Sequence, residues 1–252
     1  MVANLAKIMY FWLSEFIWRG FSLGSRQNAE TSHALFRDRA LRTMELKLRS
    51  DLHLARKFWH VLGIVCMAAL IDHIPKMDSL FYLSLGAIIV IPFDILRLKR
   101  SDLNHRIVQF FRTIIRIEEV GTLSGTSFLI VGTFVVVLLF PKNIAILSIL
   151  LLAFGDPASS IFGVLYGKDK IWGRKSLQGA MACFTVCTIV CAAYFLTHNV
   201  MVERIVLVSI LGGVIGALSE LVQIRKFDDN MTFPIFAAFG LWFLFTLFGG
   251  FP

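Results

Sequence analysis

Residues 121–159 read GTLSGTSFLIVGTFVVVLLFPKNIAILSILLLAFGDPAS. Two apolar runs, 120–140 and 144–166, meet in this stretch, and each is hydrophobic on all sides rather than along one stripe. A transmembrane helix needs about 20 such residues, whereas a membrane β-barrel would show alternating segments of about 10. Working outward, further apolar runs lie at 58–71, 79–96, 178–196, 205–222 and 231–251. The first of these is short and carries His60. Composition agrees: of 252 residues 57% are hydrophobic, 24 are Phe and only 17% are charged, and mean hydropathy is +0.73. A water-soluble enzyme would expose far more charge, and a disordered chain would carry far less apolar residue. The predicted fold is all-α, a polytopic membrane helix bundle of about seven transmembrane helices.

The net charge of +8 is better explained by topology than by nucleic acid, which is not an expected partner. Lys and Arg accumulate in cytoplasmic loops. Segments 19–57, 97–116, 168–175 and 225–226 hold nine, six, four and two of them, 21 of the 25, and these are alternate connections between runs. The intervening loops contain only Lys76, Lys142 and Arg204. The four basic loops are therefore read as cytoplasmic. Residues 1–18 place Asn4, Lys7, Ser14 and Glu15 on one side of a helix and Leu5, Ile8, Met9, Trp12 and Phe16 elsewhere. That pattern predicts an N-terminal amphipathic helix at the interface, an extra span being the alternative; no small-x-small site for signal cleavage follows it. Residues 103–117 also show helical period, with Arg106, Gln109, Arg112 and Arg116 opposite Ile107, Phe110, Phe111, Ile114 and Ile115. Cys183, Cys187 and Cys191 repeat every four residues within an apolar run and read as a small-residue packing face rather than as disulfides or metal ligands.

Ionisable groups inside apolar spans cost roughly 2.5–3.5 kcal/mol each on insertion scales and usually mark function. Here they are Asp94, Asp156 and Glu220, joined near span ends by His60, Glu118, Glu119, Asp228 and Asp229. With the basic loops on one side, each falls toward the same face although they belong to five helices. One acidic centre opening to the cytoplasm is expected.

Two stretches carry most of the chemistry. In residues 154–179, FGDPASSIFGVLYGKDKIWGRKSLQG, Asp156 precedes Pro157, a residue that breaks or begins a helix, and a loop then delivers Lys168, Lys170, Arg174, Lys175 and Ser176 before Gly179 starts the next helix. An acid able to hold a divalent ion beside a Gly/Lys/Ser turn suits polyphosphate; an ordinary positive-inside loop is the plainer reading. The P-loop pattern is absent. In residues 220–234, ELVQIRKFDDNMTFP, adjacent Asp228 and Asp229 cannot share a helix face. One of them capping the last helix is the structural reading, and one pointing inward as a metal ligand is the functional one.

Together these ordered pieces resemble the CTP-dependent lipid kinases, a family that includes CTP-using diacylglycerol kinases, dolichol and other polyprenol kinases and phytol kinase, and that is related to phosphatidate cytidylyltransferase. Arg56-Lys57-Phe58-Trp59-His60 resembles an RK-x-x-H element, and Glu118 or Glu119, Gly121 and Ser124-Gly125-Thr126-Ser127 resemble an acidic-then-small entry to a span. Gly155-Asp156-Pro157-Ala158-Ser159, Gly163, Gly167-Lys168 and Lys175-Ser176 with Gly179 resemble the central motif; Ala217, Glu220, Asp228-Asp229-Asn230 and Pro234 resemble its late element. Pro157 and Ser160 depart from some members. The long C-terminal signature of the cytidylyltransferases is not recognisable.

The resemblance implies transfer of the γ-phosphoryl of CTP to the hydroxyl of a membrane lipid, diacylglycerol or a polyprenol, at the cytoplasmic edge of the bilayer. CDP-lipid formation is the alternative within the superfamily, and a transporter lined by intramembrane acids is the alternative of another class. It implies Mg²⁺ held by Asp156 and Asp229 with Asp228 or Glu220 in support. Nucleotide contacts would come from Gly155, Gly167, Lys168, Arg174, Lys175, Ser176, Gly179, Arg56, Lys57 and His60. Asp94, Glu118 and Asp156 are candidates to take the hydroxyl proton. Residues 1–57 would form the interfacial helix and basic connector, and 58–252 the integral membrane catalytic domain. A compact chain suits a bacterial inner membrane, with the endoplasmic reticulum as the alternative.

Overall fold

The apolar runs become helices because a backbone in lipid must satisfy its own polar groups. The computed structural model describes Leu52 and residues 54–112, 114–115, 117–173, 175–222, 224 and 227–251, apart from the side chains of Ile117, Glu118 and Trp172. The expected N-terminal amphipathic helix and most of the basic connector lie outside the described residues. Among the described residues eight α-helices follow in order: α1 Leu54–His73, α2 Lys76–Lys99, α3 Ser101–Phe110, α4 Gly125–Leu139, α5 Lys142–Tyr166, α6 Leu177–Thr197, α7 Ile205–Leu221 and α8 Asp229–Phe248. A two-stranded antiparallel hairpin, β1 Lys170–Trp172 and β2 Lys175–Ser176, joins α5 to α6, with Gly173 in the turn at φ +55°.

Six helices (α1, α2, α5, α6, α7 with its preceding turn, α8) are long and apolar enough to cross a membrane. The chain is an integral multi-pass membrane protein, as predicted. The run expected at 120–140 is the exception, since α4 has 15 residues, about 22 Å of helix against a hydrocarbon core of about 30 Å. It starts late because the preceding carbonyls are held by side chains. Arg97 Nη1 donates to Glu119 O at 3.2 Å, Arg97 Nη2 to Thr122 O at 2.9 Å, and Asn104 Nδ2 to Val120 O at 2.8 Å. The helix expected over 103–117 is shorter and starts earlier, at Ser101–Phe110. Phe110, 79% exposed, sits on this short α3 as an interfacial aromatic would.

In α5 the apolar window is 67% buried, against 17% in α2, so α5 is the central helix. It packs on α1, α4, α6, α7 and α8. Lipid supplies no hydrophobic drive between helices, so close contact of small residues does the work. The three cysteines of α6 are fully buried and fill that role as predicted. A Cβ added to Gly155 of α5 would lie 2.8 Å from Cys187 Sγ, and one on Gly212 of α7 would collide with Cys191 Sγ. Gly212→Ala should therefore destabilise the bundle by about 1–3 kcal/mol through overpacking. Unfolding in detergent checks this, and Cys191→Ala in the same chain should recover part of the loss.

Pro157 lies inside α5 and neither breaks nor begins it. Proline is commonly tolerated inside membrane helices. At one end of the bundle, Lys142 Nζ bonds to Ile74 O at 3.1 Å and Lys76 Nζ to Phe140 O at 2.8 Å. The opposite end gathers the start of α1, the end of α2, the start of α4, the end of α5, the start of α6, the end of α7 and the start of α8. These are the ends that the alternating basic loops mark.

Candidate active site

Three carboxylates from three helices meet at that end. Asp156 of α5, Glu220 of α7 and Asp229 of α8 each offer an oxygen, all within 4.8 Å of one another. Glu220 is buried at 3% exposure, and its Oε2 has no hydrogen-bond partner among the described residues. Its Oε1 accepts from Ser159 Oγ at 2.7 Å and from Lys175 Nζ. Lys175 Nζ also donates to Asp229 Oδ2 at 3.2 Å. Burial alone would lower the Lys175 pKa, but Glu220, Asp229 and Asp156 outweigh it and hold the ammonium above lysine's ordinary range. It stays charged. A compact all-oxygen donor set with a buried, unsatisfied carboxylate oxygen fits a hard divalent ion such as Mg²⁺.

Beside the cluster lies a small pocket open to solvent, lined by Arg56, Lys57 and His60 of α1, Asp156, Pro157 and Ser160 of α5, and Asp228, Asp229 and Asn230 at the start of α8. Helical spacing puts Arg56, Lys57 and His60 at one end of α1, where they face α5. Lys57 Nζ donates to Ser160 Oγ at 2.6 Å, and His60 Nε2 lies 4.0 Å from Asp156 Oδ2. Arg56 forms a two-point pair with Glu119, Nη1 to Oε2 at 2.8 Å and Nη2 to Oε1, and bonds to Ile114 O at 2.8 Å.

The remaining predicted site residues are placed differently. Asp228 caps α8, accepting from Asn230 N at 3.0 Å, and its neighbour Asp229 turns into the cluster, which answers the question that adjacency posed. Ser176 caps α6 by accepting from Gly179 N at 3.2 Å, so α6 begins at Leu177 rather than at Gly179. Gly167 and Gly179 let this cap approach α5, since a Cβ on either would crowd Ser176 Oγ. Gly155 faces Cys183 and Cys187 and is not among the residues that line the pocket. Lys168 is exposed on the approach to the hairpin and does not line the pocket. Arg174 and the Glu118 side chain lie outside the described residues.

Asp94 also lies apart from the cluster. Its Oδ1 pairs with Arg97 at 2.9 Å (Nε) and 2.8 Å (Nη2), and its Oδ2 accepts from Ser124 N at 2.6 Å and Ser127 Oγ at 2.9 Å. Oδ2 ties α2 to the start of α4, while Oδ1 stays within α2 and orients Arg97. Sequence reasoning missed Glu119 as the partner of Arg56, Ser159 and Ser160 as hydrogen-bond donor and acceptor, and Asn230, whose Nδ2 reaches Gly125 O at 3.2 Å. The two serines were legible as polar residues one turn beyond an intramembrane acid.

The chain is 30% identical over 203 residues to CTP-dependent diacylglycerol kinase 1 of Eremothecium gossypii, covering 73% of this chain and 64% of that protein. It is 28% identical over 203 residues to the protein of the same name in Saccharomyces cerevisiae, covering 73% and 70%, and 26% identical over 200 residues to that of Schizosaccharomyces pombe, covering 75% and 89%. Over about three quarters of its length the chain is thus similar to CTP-dependent diacylglycerol kinases. No family model matches it, and no solved structure does. Against the Eremothecium relative the chain spans just under two thirds, 64%, of the length. In this chain the acidic cluster and the Arg56–Lys57–His60 edge are two faces of one pocket at one end of the helix bundle.

Proposed function

We propose that the protein transfers the γ-phosphoryl of CTP to the hydroxyl of diacylglycerol, giving phosphatidate, at the cytoplasmic face of the membrane. The observation that carries this reading is the union, in one pocket, of a three-carboxylate cluster with Arg56 and Lys57. The names of the relatives support CTP as donor and diacylglycerol as acceptor. Phosphoryl transfer asks a protein mainly for alignment and for charge opposite the phosphate oxygens. Mg²⁺ bound by Asp156, Glu220 and Asp229 would neutralise phosphate charge.

Arg56 and Lys57 bind phosphate from the α1 side, with Arg56 oriented by Glu119. Lys175 contributes a third cation from the hairpin. The acceptor reaches the pocket from the bilayer with its hydroxyl at the edge and its acyl body in lipid, so neither reactant leaves its own phase. Asp156 is the candidate for the hydroxyl proton that lines the pocket, and a loose transition state demands little basicity of it. Residues ahead of α1 serve as interfacial anchor and connector, and the catalytic domain begins with α1 at Leu54 rather than at the expected 58, because Arg56 and Lys57 line its pocket. The four basic loops support the cytoplasmic orientation, in a bacterial inner membrane or the endoplasmic reticulum.

The test is a label-transfer assay on purified protein with CTP carrying label at the γ or the α position, offered diacylglycerol, a polyprenol and phytol, with ATP in parallel. Label from the γ position in diacylglycerol is expected. Label from the α position in the lipid would mean CDP-lipid formation instead, and solute flux in liposomes with no lipid phosphorylation would mean transport.

A further inference from the structure

Lys175 bonds to the same carboxylates that a divalent ion would need. Its Nζ contacts Glu220 Oε1 and lies 3.2 Å from Asp229 Oδ2, and Asp156 belongs to the same group. The other oxygen of Glu220 is buried without a hydrogen-bond partner among the described residues, so one ammonium does not exhaust the cluster. The backbone beneath Lys175 is pinned. Lys175 pairs across the hairpin with Trp172, and Ser176, the next residue, is buried against Gly163 and Gly167 as the cap of α6. Four methylenes separate that fixed point from the charge, and a lysine stem is flexible even where its backbone is fixed. The ammonium can therefore exchange partners with no change of fold, and the neighbouring pocket is where a triphosphate would offer it new ones.

We propose that Lys175 is a built-in competitor for the metal: its ammonium and the divalent ion contend for Asp156, Glu220 and Asp229, so the ion binds well only when triphosphate oxygens draw the lysine out. This rests on reading the three carboxylates as the metal site. A unit positive charge within hydrogen-bond distance of the ligand oxygens opposes an incoming dication directly. Phosphate that binds the ammonium removes that opposition. By linkage the effect is mutual: ion and nucleotide each raise the affinity of the other. The site thereby selects the metal–nucleotide pair over the free ion.

The experiment titrates Mn²⁺ alone into the purified full-length protein and follows free Mn²⁺ by electron paramagnetic resonance. Wild type should bind Mn²⁺ alone with a Kd weaker than about 100 µM. Lys175→Gln should bind at least about tenfold more tightly, and Lys175→Arg, which keeps the charge, should stay near wild type. Wild type and Lys175→Gln binding equally, with the site abolished by Asp229→Asn, overturns the competition and leaves the metal reading standing. Absence of Mn²⁺ binding in every variant, with and without CTP, overturns both. Should Lys175→Gln fail to fold, wild type decides: Mn²⁺ alone held more tightly than about 100 µM overturns the proposal, and weak binding that tightens about tenfold when CTP is added supports it.

Discussion

Asp156→Asn is expected to lower γ-phosphoryl transfer to diacylglycerol by about a thousandfold or more, with folding and membrane insertion unchanged. Asp156 belongs both to the carboxylate cluster and to the wall of the pocket, so it touches the metal reading and the acceptor reading at once. Asn keeps the shape and removes the charge. Stability should hold because the Asp156 side chain is 25% exposed, and the loss of one of three like charges relieves repulsion among the others. Initial rates with γ-labelled CTP, beside circular dichroism and gel filtration in detergent, make the comparison. Turnover near wild type would reject Asp156 as a ligand and as acceptor of the hydroxyl proton.

The architecture was legible because the bilayer writes it in long runs. Apolar runs give the helices, and alternating Lys and Arg give the end at which they open. The runs do not say where a backbone carbonyl finds a side-chain donor, so the late start of α4 was invisible. For the site, sequence could list the acids that lipid should exclude but could not sort them. Asp94 and Glu220 look alike as lone carboxylates at the ends of apolar runs. Asp94 has Arg97 one turn later, and that spacing on one helix face is a readable sign of an internal pair. Glu220 has no basic residue one turn before it, and its cation arrives from Lys175, 45 positions away. Pairs that distant in sequence, such as Arg56 with Glu119, come from tertiary packing alone. Gly155 could not be placed from sequence either: beside Asp156 it reads as a nucleotide glycine, and helix geometry turns adjacent residues to different faces, its own meeting the cysteines of α6.

That sorting makes a second large effect predictable at Asp94. Asp94→Ala should destabilise the protein by about 3–5 kcal/mol, while molecules that remain folded keep turnover within a few-fold of wild type. Asp94 and Arg97 are 4% and 3% exposed, and removing one member of a buried pair leaves the other charged and uncompensated. The same change frees Ser124 N and Ser127 Oγ at the first turn of α4, the helix whose Gly125 carbonyl holds Asn230 at the edge of the pocket. Arg97→Met added to Asp94→Ala should cost far less than it does alone, because the orphaned charge is then gone and only the bonds of Arg97 to Asn104 and the loop carbonyls are lost. Unfolding in mixed micelles gives the stabilities, and rates normalised to folded protein give the turnover. A base would behave in the reverse way: Asp94→Asn, folding like wild type and losing turnover more than about a hundredfold, would move Asp94 from the frame of the site into its chemistry.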